Sequence, residues 1–176
     1  MQIRRVVTGF DGTGRPAVLS DTDAPVVFAS RAVAGYEIAE LCLADAVPAR
    51  ADQVHTEERG WQFVPEPGSL VWRVVVRPPE RTGQDIEGLL DEIGAAQGRP
   101  DETPDRQPGT GGTHRTATME WLVILSGELH ITIGEGPEEV RVGPGDMVVQ
   151  GPIPRSLHNR GTEPCVMAGV MLGVVE

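Results

Sequence analysis

Mostly polar side chains recur at every second position in two short stretches of the C-terminal part of the chain. The first stretch carries His114, Thr116, Thr118 and Glu120, and the second carries Arg155, Leu157 and Asn159. Because successive side chains of a β-strand point to opposite faces, the members of each set would lie on one face. Only apolar runs separate the two stretches. The pattern therefore predicts two strands that meet at one polar pocket inside a β-barrel.

The chemistry available to these side chains is acid–base chemistry. Histidine has an ordinary pKa near neutrality, which suits His114 to take or give a proton. Glu120 beside Arg155 would stay ionised and orient the imidazole, or Arg155 would instead hold a substrate carboxylate or enolate oxygen. With no obvious nucleophile and no redox centre, the set favours proton abstraction, elimination, isomerisation or decarboxylation of an oxygenated small molecule. The alternative is a Glu120–Arg155 salt bridge that only stabilises an inactive barrel.

Lysine is absent from the chain, and this absence excludes several mechanisms. All fifteen basic residues are arginine. A lysine Schiff base, a covalent pyridoxal enzyme and a P-loop lysine are therefore excluded. The formal net charge of −11 also argues against nucleic acid or an anionic membrane as a partner.

The elements that must position these side chains are short strands. Residues 112–161 consist of apolar runs separated by SGE, GEG and GPGD, turn sequences that are typical of a compact antiparallel β-structure. In LHITI, the alternation of side chains predicts that His130 points to solvent. By the same rule, His158 is out of phase with Arg155 and is expected to face outward.

Strands are also predicted in the N-terminal part of the chain. IRRVVTGF and PAVLSDT flank DGTGR as a β-hairpin, and VVFAS and YEIAELCLA follow, the latter with a helix as the alternative. In the further strand SLVWRVVVRPP, Trp72 and Val74 share one face, and Arg73 and Arg77 share the other. We expect Trp72 to pack in the core or to line the pocket, because aromatic side chains are often buried.

One helix is predicted, over residues 85–96. Apolar residues recur there at helical spacing, and Gly98 and Pro100 lie just past its end. We expect the helix to dock on the sheet as a flank or a lid. Residues 98–112, rich in proline, glycine and acidic residues, predict a poorly ordered linker that gates the pocket or forms a plain surface loop. His55 lies in a polar, proline-containing segment and is expected to be a solvated loop residue.

Residues 112–161 resemble a cupin, a small double-stranded β-helix or jelly-roll barrel. The spacing of the two cupin motifs is matched by His114, Glu120 and Gly127 in the first and by Pro144, Gly145, Asp146 and Asn159 in the second. More narrowly, HRTATMEW, VILSGE and GDMVVQ resemble a subgroup of small bacterial single-domain cupins of uncertain function. The predicted fold class is therefore all-β, a cupin jelly-roll barrel with an N-terminal strand extension and one short helix.

The resemblance raises the question of a metal cofactor. Cupins normally hold a metal with three histidines and a carboxylate, but Thr116 and Arg155 occupy two of the histidine positions here, and only His114 and Glu120 remain. Two ligands are fewer than catalytic zinc or non-heme iron takes, and a guanidinium repels a divalent cation. We therefore expect no cofactor. The alternative is an iron, manganese, zinc or nickel ion held by His114, Glu120 and a further ligand.

The chain is predicted to be a single domain over residues 1–176. Its parts are N-terminal strands that join the barrel over residues 1–79, a helix with a flexible linker over 80–112 and the barrel motifs over 113–176. With no apolar run of the roughly 20 residues that span a membrane and no secretory signal, the expected location is the cytoplasm. Cys42 and Cys165 match no metal-binding spacing and are expected to be buried, reduced thiols. The apolar last strand is consistent with burial against a partner sheet or another subunit, and the resemblance implies a homodimer.

Three functions remain open. The first is a metal-independent lyase, cyclase or isomerase for an oxygenated, largely apolar small molecule, as cupins supply to bacterial natural-product pathways, with His114, Glu120 and Arg155 as catalytic residues. The second is a metal-dependent cupin such as a dioxygenase, and the third is a small-molecule-binding barrel without chemistry. The residues predicted to bind the small molecule are Thr116, Thr118, Leu122, Leu157, Asn159 and Trp72.

Overall fold

Strands make up about half of the residues that the computed structural model describes, which are residues 2–49, 61–96, 105–106, 111–134 and 136–175. The elements in chain order are β1 (Arg4–Phe10), β2 (Pro16–Asp23), β3 (Val26–Ala29), β4 (Glu37–Ala44), β5 (Leu70–Arg77), α1 (Ile86–Ala96), β6 (Asp105–Arg106), β7 (His114–Arg115), β8 (Thr118–Ser126), β9 (Leu129–Ile133), β10 (Glu139–Val142), β11 (Met147–Gln150), β12 (Arg155–His158) and β13 (Cys165–Gly173).

Two antiparallel sheets face each other across an apolar core. One sheet has the order β11-β8-β13-β5-β4-β3, the other has the order β10-β9-β12-β7-β6, and β1 pairs with β2 alone. Between the sheets, Ile124 and Met167 of the first pack in one cluster with Leu129 and Ile131 of the second. This arrangement confirms the predicted all-β jelly-roll barrel.

The N-terminal strands form where they are predicted, but only β3, β4 and β5 join a sheet of the barrel, since β1 and β2 pair only with each other among the described strands. The turn between β1 and β2 is closed by Asp11, whose Oδ1 accepts hydrogen bonds from the main-chain nitrogens of Thr13 at 2.8 Å and Arg15 at 3.0 Å. Gly14 adopts a φ of +79° in this turn, a value that glycine reaches without strain. The ambiguous stretch YEIAELCLA contains a strand, β4, which pairs with β5 in the six-stranded sheet.

Helix α1 confirms the predicted helix and docks on the edge of the barrel. Its buried side chains pack in one cluster with residues of β3, β4 and the turn between them: Leu89, Leu90 and Ile93 with Phe28, Val33, Tyr36 and Ile38. Glu92 fixes the helix to that turn, because its carboxylate accepts hydrogen bonds from Ser30 Oγ at 2.6 Å and from the main-chain nitrogen of Arg31 at 2.9 Å. Of the predicted linker 98–112, the described residues are 105–106 and 111–112. The remainder of that linker and His55 lie outside the described residues.

The face of β5 that points into the barrel is the opposite of the one we expected. Arg73 and Arg77 are 2% and 7% exposed, whereas Trp72 is 47% exposed on the outer face of the sheet. The prediction that Trp72 packs in the core or lines the pocket is therefore wrong. Alternation assigns residues to shared faces but does not say which face is inside. The arginines lie inside because main-chain carbonyls, a carboxylate and aromatic rings surround their guanidinium groups.

The two histidines expected to face outward point away from the barrel interior. His130 lies between two glutamates, with Nδ1 3.0 Å from Glu139 and Nε2 3.2 Å from Glu128. His158 has its Nδ1 2.8 Å from Glu80.

Both cysteines are unpaired. Cys165 is buried, and burial raises the pKa of its thiol to about 11, whereas Cys42 is only partly buried. Among the described residues, no helix has the length and apolarity that crossing a membrane requires.

Candidate functional site

Strands from both sheets bring His114, Glu120 and Arg155 to one cavity inside the barrel. His114 of β7 lies directly opposite Arg155 of β12 in one sheet, and Glu120 belongs to β8 in the facing sheet. The cavity that these three residues help to line has a volume of about 60 Å³. Since a water molecule occupies roughly 30 Å³ in the liquid, the cavity admits a group of only a few heavy atoms.

Glu120 is hydrogen bonded on both oxygens of its carboxylate. Oε1 accepts from Arg155 Nη2 at 2.6 Å, from Thr118 Oγ1 at 2.7 Å and from Thr116 Oγ1 at 3.0 Å. Oε2 accepts from Gln150 Nε2 at 3.1 Å. The expected ion pair between Glu120 and Arg155 is thus present. Because four donors already hold the carboxylate, Glu120 is suited to position its neighbours rather than to accept a proton.

The imidazole of His114 is held in one tautomer by the main chain. Its Nδ1 lies 2.8 Å from the carbonyl oxygen of Gly112. Because a carbonyl only accepts hydrogen bonds, Nδ1 carries the proton and Nε2 carries the free lone pair of the neutral ring. Burial, followed by the charge of Arg155, lowers the pKa of His114 from 6.5 to about 4. At this pKa the ring is neutral at physiological pH.

Sequence reasoning assigned no role to Arg73, which also lines the cavity. Its Nη1 and Nη2 donate to the carbonyl oxygens of Phe63 at 3.0 Å and Gln62 at 2.7 Å, and Nη2 lies 3.7 Å from Glu40. The available signal was the shared phase of Arg73 and Arg77 in an otherwise apolar strand.

Gln150 is the other member of the site that sequence reasoning missed. It ends β11 directly opposite Glu120 of β8 and is 4% exposed. A single polar residue at the end of an apolar strand was the available signal, and it did not indicate which residue Gln150 would meet.

Four of the residues predicted to bind a small molecule lie at the cavity or directly behind it. Leu122 and Leu157 line the cavity, whereas Thr116 and Thr118 hold the carboxylate of Glu120. Contact between these residues and a substrate stays a prediction.

Asn159 has a structural position that contradicts its predicted role. Its side chain is fully buried, and Nδ2 donates at 2.9 Å to the carbonyl oxygens of both Arg77 and Glu163. Its Oδ1 accepts from the main-chain nitrogen of Gly161 at 3.0 Å. Buried main-chain groups need hydrogen-bond partners, and Asn159 supplies them to the turn between β12 and β13.

A divalent metal does not fit the side chains of this cavity. Both oxygens of Glu120 are engaged by donors, and the Arg155 guanidinium lies within 2.6 Å of one of them. A cation bound there would displace those donors and meet the positive charge of Arg155. Within the described residues, no group of three or more histidine, cysteine, aspartate or glutamate side chains is placed to hold a metal ion.

Comparisons with known proteins give a family match for the part of the chain that contains most of this site. Residues 105–173 match the family model described as the cupin domain. No curated protein matches the chain.

Several solved structures are similar in fold, each at low sequence identity. The cupin domain of an XRE-family transcriptional regulator from Enterobacter cloacae is 15% identical, with a TM-score of 0.36 and coverage of 58% of this chain and 80% of that one. A conserved protein of unknown function from Streptococcus pyogenes is 16% identical, with a TM-score of 0.38 and coverage of 79% and 76%. A cupin 2 conserved barrel domain protein from Salinispora arenicola is 12% identical, with a TM-score of 0.39 and coverage of 78% and 75%.

Proposed function

Since this chain belongs to the cupin superfamily through residues 105–173, we propose that it is a metal-independent enzyme of the lyase, cyclase or isomerase type. The proposed reaction begins when His114 removes a proton from a carbon atom of a small oxygenated molecule. The observation that carries the proposal is the neutral imidazole of His114, with Nε2 unprotonated, in a cavity that two guanidinium groups also line.

The low pKa of His114 has a cause that a bound substrate would change. Burial and the positive charges of Arg155 and Arg77 together disfavour the imidazolium ion. A substrate with a negative or strongly polar oxygen would oppose that positive field. The pKa of His114 would then rise toward its ordinary value, where a general base is most effective near neutral pH.

Arg155 and Arg73 are placed to stabilise the negative charge that forms on the substrate. When a proton leaves a carbon beside a carbonyl group, the electron pair of the C–H bond moves onto the carbonyl oxygen. Fixed guanidinium groups in a buried cavity stabilise such an oxygen strongly. The proton stays on His114, from where it returns to another carbon in an isomerisation or is given to the leaving group in an elimination.

Apolar side chains form much of the remaining wall of the cavity, and they would keep water away from the proposed base. Leu122, Leu157 and Met167 line the cavity together with the charged groups. Exclusion of water strengthens the interaction between the arginines and a developing oxyanion. Because the volume is about 60 Å³, we expect the reacting head group to enter and the rest of the molecule to extend toward the mouth.

Proton exchange in deuterium oxide tests this function. The protein would be incubated with a panel of small 2-keto, 3-keto and 3-hydroxy acids, and NMR would follow deuterium incorporation or elimination. We expect exchange or elimination with wild type and its loss in His114→Gln, whose amide cannot serve as the base. Equal rates in wild type and His114→Gln, or no reaction of any panel member with wild type, would contradict the proposal.

A second candidate is a barrel that binds a small molecule without changing it. The observation that favours it is the pKa of about 4 for His114, since a weakly basic imidazole removes protons from carbon poorly unless a ligand raises its pKa. A ligand recovered unchanged after long incubation with the protein would favour this candidate.

A further inference from the structure

We propose that the cavity is a carboxylate site, in which Arg73 and Arg155 approach the bound carboxylate from the two facing sheets. The inference rests on the proposed function, because it names the substrate as a small carboxylic acid. The two proposals differ in their tests, because carboxylate binding is measurable without any reaction.

Three arginines with unused hydrogen-bond donors are the first observation. Arg73, Arg77 and Arg155 are 2%, 7% and 2% exposed. Within the described part of the chain, the Nε–H group of each has no hydrogen-bond partner. A buried donor without a partner costs about 1–3 kcal/mol, and more when the group is charged. Three such donors around one barrel interior indicate that acceptors are supplied by something other than these residues.

The balance of charge in the barrel interior is the second observation. The guanidinium group of Arg155 lies 2.6 Å from the carboxylate of Glu120. That of Arg73 lies 3.7 Å from the carboxylate of Glu40, which is beyond hydrogen-bond distance. Arg77 packs on the ring of Tyr36, 5.3 Å from its centre, and no described carboxylate lies within 4.0 Å of it. Three buried guanidinium groups therefore have two carboxylates near them.

The positive interior contrasts with the rest of the molecule. The chain carries a formal net charge of −11, so a general attraction of anions to its surface is not expected. An uncompensated charge inside such a protein is costly unless it is paired, and a ligand that binds the folded state provides the pair. The lowered pKa of His114 reports the same positive field, since Arg155 and Arg77 both contribute to it.

The shape of the site selects a carboxylate among the possible anions. Arg73 of β5 and Arg155 of β12 line the same cavity from opposite sheets, and the cavity volume is about 60 Å³. A planar carboxylate of three heavy atoms fits this volume, and its two oxygens would offer one acceptor to the Nε–H group of each arginine. The neighbouring apolar residues Leu157 and Met167 suit the carbon chain that a carboxylic acid carries.

The first experiment measures the pKa of His114 in the intact wild-type protein by NMR, with sodium propionate or with propionamide. Propionamide has a similar shape and no charge. We expect propionate to raise the pKa of His114 by about one unit or more, because it cancels part of the arginine field, and propionamide to leave it unchanged. Equal effects of the two compounds would overturn the proposal and leave water as the occupant of the cavity.

The second experiment measures propionate affinity by calorimetry in wild type and two variants. Arg73→Gln should weaken binding about 30-fold or more, the loss typical of truncating one partner of a buried charge pair. Arg141→Gln makes the same change of charge at a side chain that is 64% exposed and should bind like wild type. Equal loss in both variants would overturn the assignment, as would tighter binding of inorganic phosphate than of propionate by wild type.

His114→Gln separates this proposal from the proposed function. Propionate binding should persist in this variant, because the carboxylate is held by the arginines and not by the imidazole. Propionate binding by both wild type and His114→Gln, with no proton exchange by wild type on any acid, would support the carboxylate site and contradict the enzyme. Exchange by wild type that is lost in His114→Gln, without detectable propionate binding by wild type, would contradict the carboxylate site alone.

Discussion

Arg155 Nη2 lies 2.6 Å from Glu120 Oε1, and the two side chains are only 2% and 7% exposed. They come from strands of opposite sheets, so the pair ties the two layers of the barrel together at the cavity wall. A buried ion pair of this kind stabilises little against an apolar replacement, but the loss of one partner leaves a charge without compensation.

We predict that Glu120→Ala lowers the free energy of unfolding by about 3–5 kcal/mol, because Arg155 would remain buried and unpaired. Urea unfolding followed by circular dichroism measures the change. The double variant Glu120→Leu/Arg155→Leu should recover much of the loss, since neither charge remains. Arg4→Ala removes an exposed pair with Asp21 and should change stability little. A Glu120→Ala protein as stable as Arg4→Ala would contradict the buried pair.

Asn159→Ala should lower the free energy of unfolding by about 2 kcal/mol or more, because it leaves buried main-chain groups without partners. Asn159→Asp should be more damaging, since a carboxylate would face the carbonyl oxygens of Arg77 and Glu163. Thermal unfolding of the two variants makes the comparison. Propionate affinity measured well below the transition should match wild type. A stable Asn159→Ala protein with weakened binding would restore the ligand-binding role that we reject.

Gly127→Ala should be strongly destabilising. Gly127 has a φ of +73°, and an added Cβ would lie 2.5 Å from the carbonyl oxygen of Pro164 and 2.7 Å from Cys165 Cα. Both neighbours are main-chain atoms, so we expect a loss of about 2 kcal/mol or more. Gly143→Ala is the matched control, since its Cβ would have nothing within 4 Å and its φ is not in the left-handed region. Differential scanning calorimetry should show a lower Tm for Gly127→Ala only, and equal Tm values would refute the crowding.

The stability of the protein should fall in acid partly through His114. Its pKa is about 4 in the folded protein and near 6.5 when unfolded, so above pH 6.5 the group has no effect on stability. Between pH 6.5 and 4 the unfolded chain binds a proton that the folded protein does not. The free energy of unfolding therefore decreases by about 3 kcal/mol over this window.

Urea titrations of wild type and His114→Gln at pH 7 and pH 4.5 isolate this contribution, because glutamine has no ionisable group. Wild type should lose more stability than His114→Gln between the two pH values. Parallel losses would mean that the imidazole titrates alike in the folded and unfolded protein, contrary to its burial.

Local alternation predicted part of the site. Thr118 and Glu120 lie on one face of a strand by the geometry of the chain alone, and the polar character of Arg155 on a second strand was enough to predict their meeting. The structure adds Gln150, which reaches Glu120 from the neighbouring strand. Which residues of that strand would lie opposite Glu120 depends on the pairing of β11 with β8, which the sequence does not state.

The burial of Arg73 could not be predicted from the sequence, for a different reason. Hydropathy favours Trp72 as the inward residue of β5, and local pattern offers nothing against it. Arg73 lies inside because Gln62, Phe63 and Glu40, from two other parts of the chain, satisfy its guanidinium. The low pKa of His114 has the same origin, since it depends on depth and on a distant arginine.

Gly112 links helix α1 to the imidazole of His114. A Cβ built on Gly112, whose φ is +90°, would lie 2.5 Å from Ile86 Cγ2 at the start of that helix. The carbonyl of the same glycine fixes the tautomer of His114. The orientation of the His114 imidazole is therefore set by the main-chain carbonyl of a glycine that packs against α1, and not by another side chain of the cavity. A substitution in α1, remote from the charged cluster, would therefore change the orientation of the imidazole if it moved Ile86.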